Sequence, residues 1–234
     1  MGVSYGGYAT LVGMTYTPET FACGVDIVGP SNLETLLATV PPYWASFYEQ
    51  LARRMGDPRT EAGRAWLKDR SPLHRADRIV RPLLIGQGAN DPRVKQNESD
   101  QIVTAMTAKK IPVTYVLFPD EGHGFQRPEN NKAFNAVAEG FLGKCLGGRI
   151  QPIGEELKGS SISIPNGAEA IPGLADAIRV AEDPIVSQAI AALTGVDVGA
   201  VAQSVAIGAD NSIWYQIGAE EAAIRANPQA TNDP

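Results

Sequence analysis

Apolar residues along this chain gather into short continuous runs separated by segments of helical spacing. The runs ACGVDIVG (residues 22–29), PLLIGQG (82–88) and VTYVLFP (113–119) end on glycine or proline and show little alternation with polar residues. Interior strands of a parallel sheet have this pattern, because both of their faces are covered. Helical periodicity predicts helices over residues 5–16, 43–55, 95–109 and 130–146, the last with Phe134, Val137, Phe141 and Leu142 on one face. Strands alternate with helices, so an α/β fold with a parallel sheet flanked by helices is expected. This region ends at residue 146. Beyond it the composition shifts to Gly, Ala, Ile and Ser, dividing the chain into residues 1–146, an extension or linker over 147–174, and a mixed, partly disordered tail over 175–234. In the tail, Asp183 and Pro184 open a helix. SIWYQI (212–217) reads as a strand, and residues 219–226 read as another helix.

Composition narrows the class. The 234 residues are 44% hydrophobic and 20% charged, which is globular. A net charge of -6 with no run of lysine or arginine offers nothing to displace counterions from phosphates, so nucleic-acid binding is not expected. The longest apolar stretch, residues 189–207, is broken by Asp197, Gln203 and glycines, and no membrane span is expected. The first ten residues do not read as a secretory leader, and the compartment is left open. The two cysteines, Cys23 and Cys145, read as small buried apolar groups or as a single bridge. No metal or organic cofactor is implied: histidines are not paired, and no glycine-rich phosphate loop follows a strand.

The chemistry begins at the first residues. Gly2-Val3-Ser4-Tyr5-Gly6 fits G-x-S-x-G, the turn that exposes a nucleophilic serine between a strand and a helix, although no strand is readable before it. The pattern alone is a weak signal, so it needs partners. A serine hydroxyl attacks only when an imidazole takes its proton and a carboxylate holds that imidazole. Of the two histidines, His123 lies in DEGHGF directly after the VTYVLFP run; His74 precedes a strand and reads as a solvated loop residue. Asp91, in GANDPRV directly after PLLIGQG, supplies the carboxylate from the same sheet edge. Taken alone it would read as a turn or cap residue. The order Ser4, Asp91, His123 is that of α/β-hydrolases.

GVSYGGYATL, GANDPRV and DEGHGF together resemble the catalytic domain of the prolyl oligopeptidase family of serine peptidases, nearest its acylaminoacyl-peptidase and dipeptidyl-aminopeptidase-like branch. The resemblance covers residues 1–146. Residues 145–174 are similar to a short C-terminal extension of bacterial members that are often exported. The resemblance implies the C-terminal part of an α/β-hydrolase fold and cleavage of short peptides. Ser4 is then the nucleophile, His123 the base and then the acid, and Asp91 the orienting carboxylate, with the backbone N–H of Tyr5 donating to the oxyanion. The aromatic stretch PPYWASFY places Trp44, Phe47 and Tyr48 at the border of a substrate pocket with Val94, or equally as packed structure; Arg93 reads as readily as an ion-pair partner.

Family members also carry a β-propeller, several strands before the serine and an upstream tyrosine that donates to the oxyanion. The chain is therefore expected to be the C-terminal part of a longer peptidase, with activity impaired by truncation and with the missing propeller or a second copy as partner. Two alternatives stand: an α/β-hydrolase esterase, and a non-catalytic fragment or interaction module.

Overall fold

The computed structural model describes residues 1–182. The helix expected from Pro184, the SIWYQI strand and the helix expected at 219–226 lie outside the described residues.

Among the described residues, five strands form one sheet in chain order: β1 (Gly2–Val3), β2 (Gly24–Ile27), β3 (Leu83–Gly88), β4 (Val113–Phe118) and β5 (Ser163–Asn166). β1 to β4 are parallel, and β5 runs antiparallel to β4. The helices are α1 (Tyr5–Tyr16), α2 (Leu33–Ala38), α3 (Ala45–Met55), α4 (Glu61–Arg70), α5 (Asn97–Ala108), α6 (Pro128–Leu146) and α7 (Leu174–Glu182). Parallel neighbours need crossovers, and α1 and α5 supply those from β1 to β2 and from β3 to β4.

The apolar runs lack alternation because successive residues bury on opposite sides. Leu84, Val116 and Phe118 pack with Phe134, Val137 and Phe141 of α6. Leu83, Ile85, Val113 and Tyr115 pack on the other face with Leu11 and Met14 of α1 and Ile102 and Met106 of α5. Each fully buried side chain of this size contributes about 1.5–3 kcal/mol by leaving water. A smaller cluster of Leu33, Leu37 and Leu67 joins α2 to α4.

Several features depart from the sequence-based expectations. A strand does precede the serine: Gly2 pairs with Asp26 and Val3 with Ile27 of β2. Two residues are too short for any periodicity to reveal. The helix expected over residues 43–55 begins as a tight turn at Pro42–Trp44 and becomes α-helical at Ala45. The helices α2 and α4 are not among the expected elements. They are set by the Asn32 and Thr60 side chains, which accept from the Glu34 and Gly63 N–H groups, and by burial of few leucines.

Cys23 and Cys145 are not buried free thiols but a disulfide joining the start of β2 to the end of α6. Their Cα atoms stand 6.4 Å apart, within the range a bridge spans. Beyond residue 146, β5 covers the outer edge of β4 and carries Pro165, a residue tolerated on such edges.

The consequence for chemistry is positional. The C-terminal ends of β1, β3 and β4 open onto one rim, and Ser4, Asp91 and His123 each follow one of those ends.

Candidate active site

Ser4 occupies the residue before α1, where serine commonly caps a helix. It does not cap this one. Its backbone has φ 58 and ψ -117, a conformation that costs an L residue about 1–3 kcal/mol and that turns the side chain out of the capping position. The Ser4 N–H donates to Ile27 O at 2.8 Å, and its carbonyl accepts from Tyr8 N–H at 3.0 Å, so strand and helix grip the turn from both sides. Gly2 is required for the close approach: a Cβ there would lie 2.1 Å from the Gly6 carbonyl oxygen. The first turn of α1 leaves the Tyr5 N–H without an intrahelical acceptor, beside the serine hydroxyl.

Ser4 Oγ lies 2.8 Å from His123 Nε2, and His123 Nδ1 lies 2.7 Å from Asp91 Oδ2. An ionised carboxylate only accepts, so Nδ1 carries the proton and Nε2 is left to accept from the serine hydroxyl. The Asp91 side chain has no exposed surface. Its Oδ1 accepts from the Arg93 N–H at 2.8 Å and the Val94 N–H at 2.9 Å, which fixes the carboxylate within its own loop. The imidazole is 14% exposed. A hydroxyl, an imidazole and a buried carboxylate linked in this order can deprotonate the hydroxyl during attack and return the proton to a leaving group.

The other predicted residues scatter. Trp44 packs edge-on against Phe47 at 6.1 Å and has the Arg93 guanidinium 5.9 Å from its ring centre, which brings the aromatic stretch to the Asp91 loop. Phe47 is exposed. Tyr48 instead lines a groove of about 260 Å³ with Leu37, Val40, Pro41, Pro42 and Ala45, and none of Ser4, Asp91 or His123 lines that groove. Val94 is buried, and its N–H and carbonyl support the Asp91 loop. His74, expected on a solvated loop, sits in the helical turn Pro72–Arg78 and pairs with Glu34 at 3.4 Å, outside the Ser4–His123–Asp91 chain. Among the described residues no group of three or more His, Cys, Asp or Glu side chains is arranged to hold a metal ion.

Residues outside the predicted set support the site. Gln87, fully buried in β3, donates to Gly88 O at 2.9 Å and Val94 O at 3.1 Å and accepts from the Ser99 hydroxyl. Glu98 in α5 accepts from the Ser31 and Asn32 N–H groups at 3.0 and 2.9 Å, fixing the segment after β2. Burial raises its pKa, with those hydrogen bonds opposing. Asp26 of β2 is fully buried, and its carboxyl oxygens have no hydrogen-bond partner. It lies against Gly7 of α1 and Gly29, directly under the serine turn. Desolvation pushes its pKa up to about 7; the neighbouring Gly29 N–H, which falls short of a well-formed hydrogen bond, acts in the opposite direction. The legible signal for Gln87 and Asp26 was a single polar residue inside an apolar run; Glu98 had none.

Comparison with known proteins decides the family. The prolyl oligopeptidase family pattern matches residues 1–149, more than half of the 234 residues. The chain belongs to the prolyl oligopeptidase family. Dipeptidyl aminopeptidase BIII of Pseudoxanthomonas mexicana is 77% identical over 179 residues, covering 76% of this chain and 26% of that protein. Dipeptidyl peptidase family member 6 of Caenorhabditis elegans is 58% identical over 153 residues, 65% of this chain and 21% of that protein. Among solved structures, a Mycobacterium tuberculosis puromycin-hydrolyzing peptidase has a TM-score of 0.57 at 29% identity, covering 65% of this chain and 23% of that one. The chain thus spans about a quarter of the length of these family members. The sheet and its flanking helices are part of the family's α/β-hydrolase fold.

Proposed function

We propose that this chain carries the acyl-transfer centre of a serine peptidase, with Ser4 as nucleophile, His123 as base and then acid, and Asp91 as the group that orients the imidazole. The observation that carries the reading is the continuous hydrogen-bond chain from Ser4 through His123 to the buried Asp91. As Ser4 Oγ attacks a carbonyl carbon, its proton passes to His123 Nε2, and the imidazolium is stabilised by the carboxylate on Nδ1. The tetrahedral oxyanion is met by the Tyr5 N–H, a donor worth on the order of 100 to 1000-fold in turnover. His123 then protonates the departing amine, and a water deprotonated by the same Nε2 hydrolyses the acyl-serine.

The relatives support a substrate class, since two of them bear dipeptidyl peptidase names. We assign short peptides with a free N-terminus, cleaved after the second residue. The Trp44–Phe47 aromatic pair beside Arg93 is the proposed border for substrate side chains. The segments that complete such a peptidase, a propeller above all, are proposed as the partners of this part, with self-association as the substitute.

The test is labelling of the folded chain by a fluorophosphonate. Stoichiometric modification at Ser4, absent in Ser4→Ala with an unchanged circular dichroism spectrum, is expected; a folded chain that does not label refutes the reading and leaves a non-catalytic module. Faster hydrolysis of a dipeptidyl anilide than of its N-acylated form supports the substrate class. Hydrolysis of a p-nitrophenyl ester alone turns it to an esterase.

A further inference from the structure

His123 sits on the loop between β4 and α6 with a glycine on each side, so the local backbone does not by itself fix where the ring points. Order is imposed by Glu121, a residue the proposed chemistry does not use. Its side chain is buried, and its carboxylate takes three hydrogen bonds. Oε2 accepts from the Gln126 N–H at 2.9 Å; Oε1 accepts from the Arg127 N–H and from Asn130 Nδ2–H, each at 2.9 Å. Arg127 immediately precedes α6, so the carboxylate satisfies donors at that helix's N-terminus and ties the far side of the loop to it.

The backbone of the same residue reaches the other way. The Glu121 carbonyl accepts from the Asn90 N–H at 2.9 Å, one residue before Asp91. Close contact of the two loops depends on Gly88, where a Cβ would stand 2.2 Å from the Gly122 carbonyl oxygen. Behind Glu121, the fully buried Asn130 accepts from the Ser161 N–H at 2.9 Å through Oδ1, and the Ser161 hydroxyl donates to Asp120. The segment leading into β5 therefore closes the network from outside.

We propose that Glu121 is a positioning residue for His123: through its carboxylate and carbonyl it holds the histidine loop and the Asp91 loop in register, with Asn130 and Ser161 locking it in place. This deepens, and rests on, the reading of Ser4, His123 and Asp91 as a triad. Loss of the carboxylate frees three donors and lets the ring drift, and a misplacement of about 1 Å costs on the order of 100-fold in turnover.

The test uses the full chain and two readouts. One is the low-field proton resonance of the His123 Nδ1–H bonded to Asp91, identified by its loss in His123→Ala. The other is p-nitrophenyl ester hydrolysis per active site titrated with fluorophosphonate. In Glu121→Ala the resonance is expected to broaden or vanish and kcat to fall about 10 to 100-fold, with KM changed less than about 2-fold. Glu121→Gln, which keeps an acceptor for Arg127 and Asn130, is expected to recover most of both. A folded Glu121→Ala with unchanged resonance and kcat overturns the proposal, as does a wild-type spectrum with no resonance from His123. If Glu121→Ala does not fold, Asn130→Ala takes its place with the same sign and smaller size, and no effect there counts as refutation. Wild-type chain that shows the resonance but neither labels nor turns over refutes the peptidase reading alone, and the resonance in Glu121→Ala still decides the positioning.

Discussion

Replacing Asp26 by asparagine removes an ionisable group that the fold buries without a hydrogen-bond partner. In the folded chain desolvation raises its pKa from an ordinary value of 3.8 to about 7. A folded pKa above the unfolded one means that the folded state binds the proton more tightly. The stability this confers is fully present below the unfolded pKa of 3.8 and is lost as pH rises to about 7, above which nothing more is lost. At 1.36 kcal/mol per pH step, the whole loss is on the order of 4 kcal/mol, of which about 3 kcal/mol falls between pH 5 and pH 8.5. The replacement amide also buries polar atoms, but at a cost that does not change with pH. Urea denaturation of wild type and Asp26→Asn at pH 5 and pH 8.5 isolates the effect, because every other titrating group cancels between the two proteins. The variant is expected to gain about 3 kcal/mol relative to wild type on going to the higher pH. Parallel pH dependences would show that Asp26 is hydrated or paired in solution and would refute the reasoning.

Three further outcomes follow from the geometry. Asp91→Asn keeps the shape but offers His123 Nδ1 an amide in place of a carboxylate, and turnover is expected to drop on the order of 10,000-fold in ester or anilide assays while the melt is little changed. Gly2→Ala sets a methyl 2.1 Å from the Gly6 carbonyl oxygen, so the serine turn must open; Ser4 labelling is expected to vanish and the thermal midpoint to fall. Normal labelling of this variant would disprove the close approach. Cys23→Ser with Cys145→Ser removes a bridge closing a 122-residue separation, with an expected loss of about 2–4 kcal/mol measured by denaturant, and added reductant should bring wild type to the same value.

Local chemistry made much of this protein legible in one dimension. Continuous apolar runs marked β2, β3 and β4 because strands covered on both faces have no solvent side to record, and loops directly after them had to share a rim in a parallel sheet. That logic carries Asp91 and His123 to one edge, and G-x-S-x-G adds Ser4 to them. Tertiary contact alone decided the rest. β1 is two residues held by Ser4 N–H and Ile27 O, a pairing no periodicity announces. The partnership of Cys23 with Cys145 depends on α6 returning to the start of β2. Val94 turned inward to Asp91, and Glu121 and Asn130 became a bridge between loops, because a buried carboxylate is tolerable only where three-dimensional packing delivers donors to it. Asp26 has no well-formed donor, and only its enclosure between Gly7 of α1 and Gly29 shows what that costs.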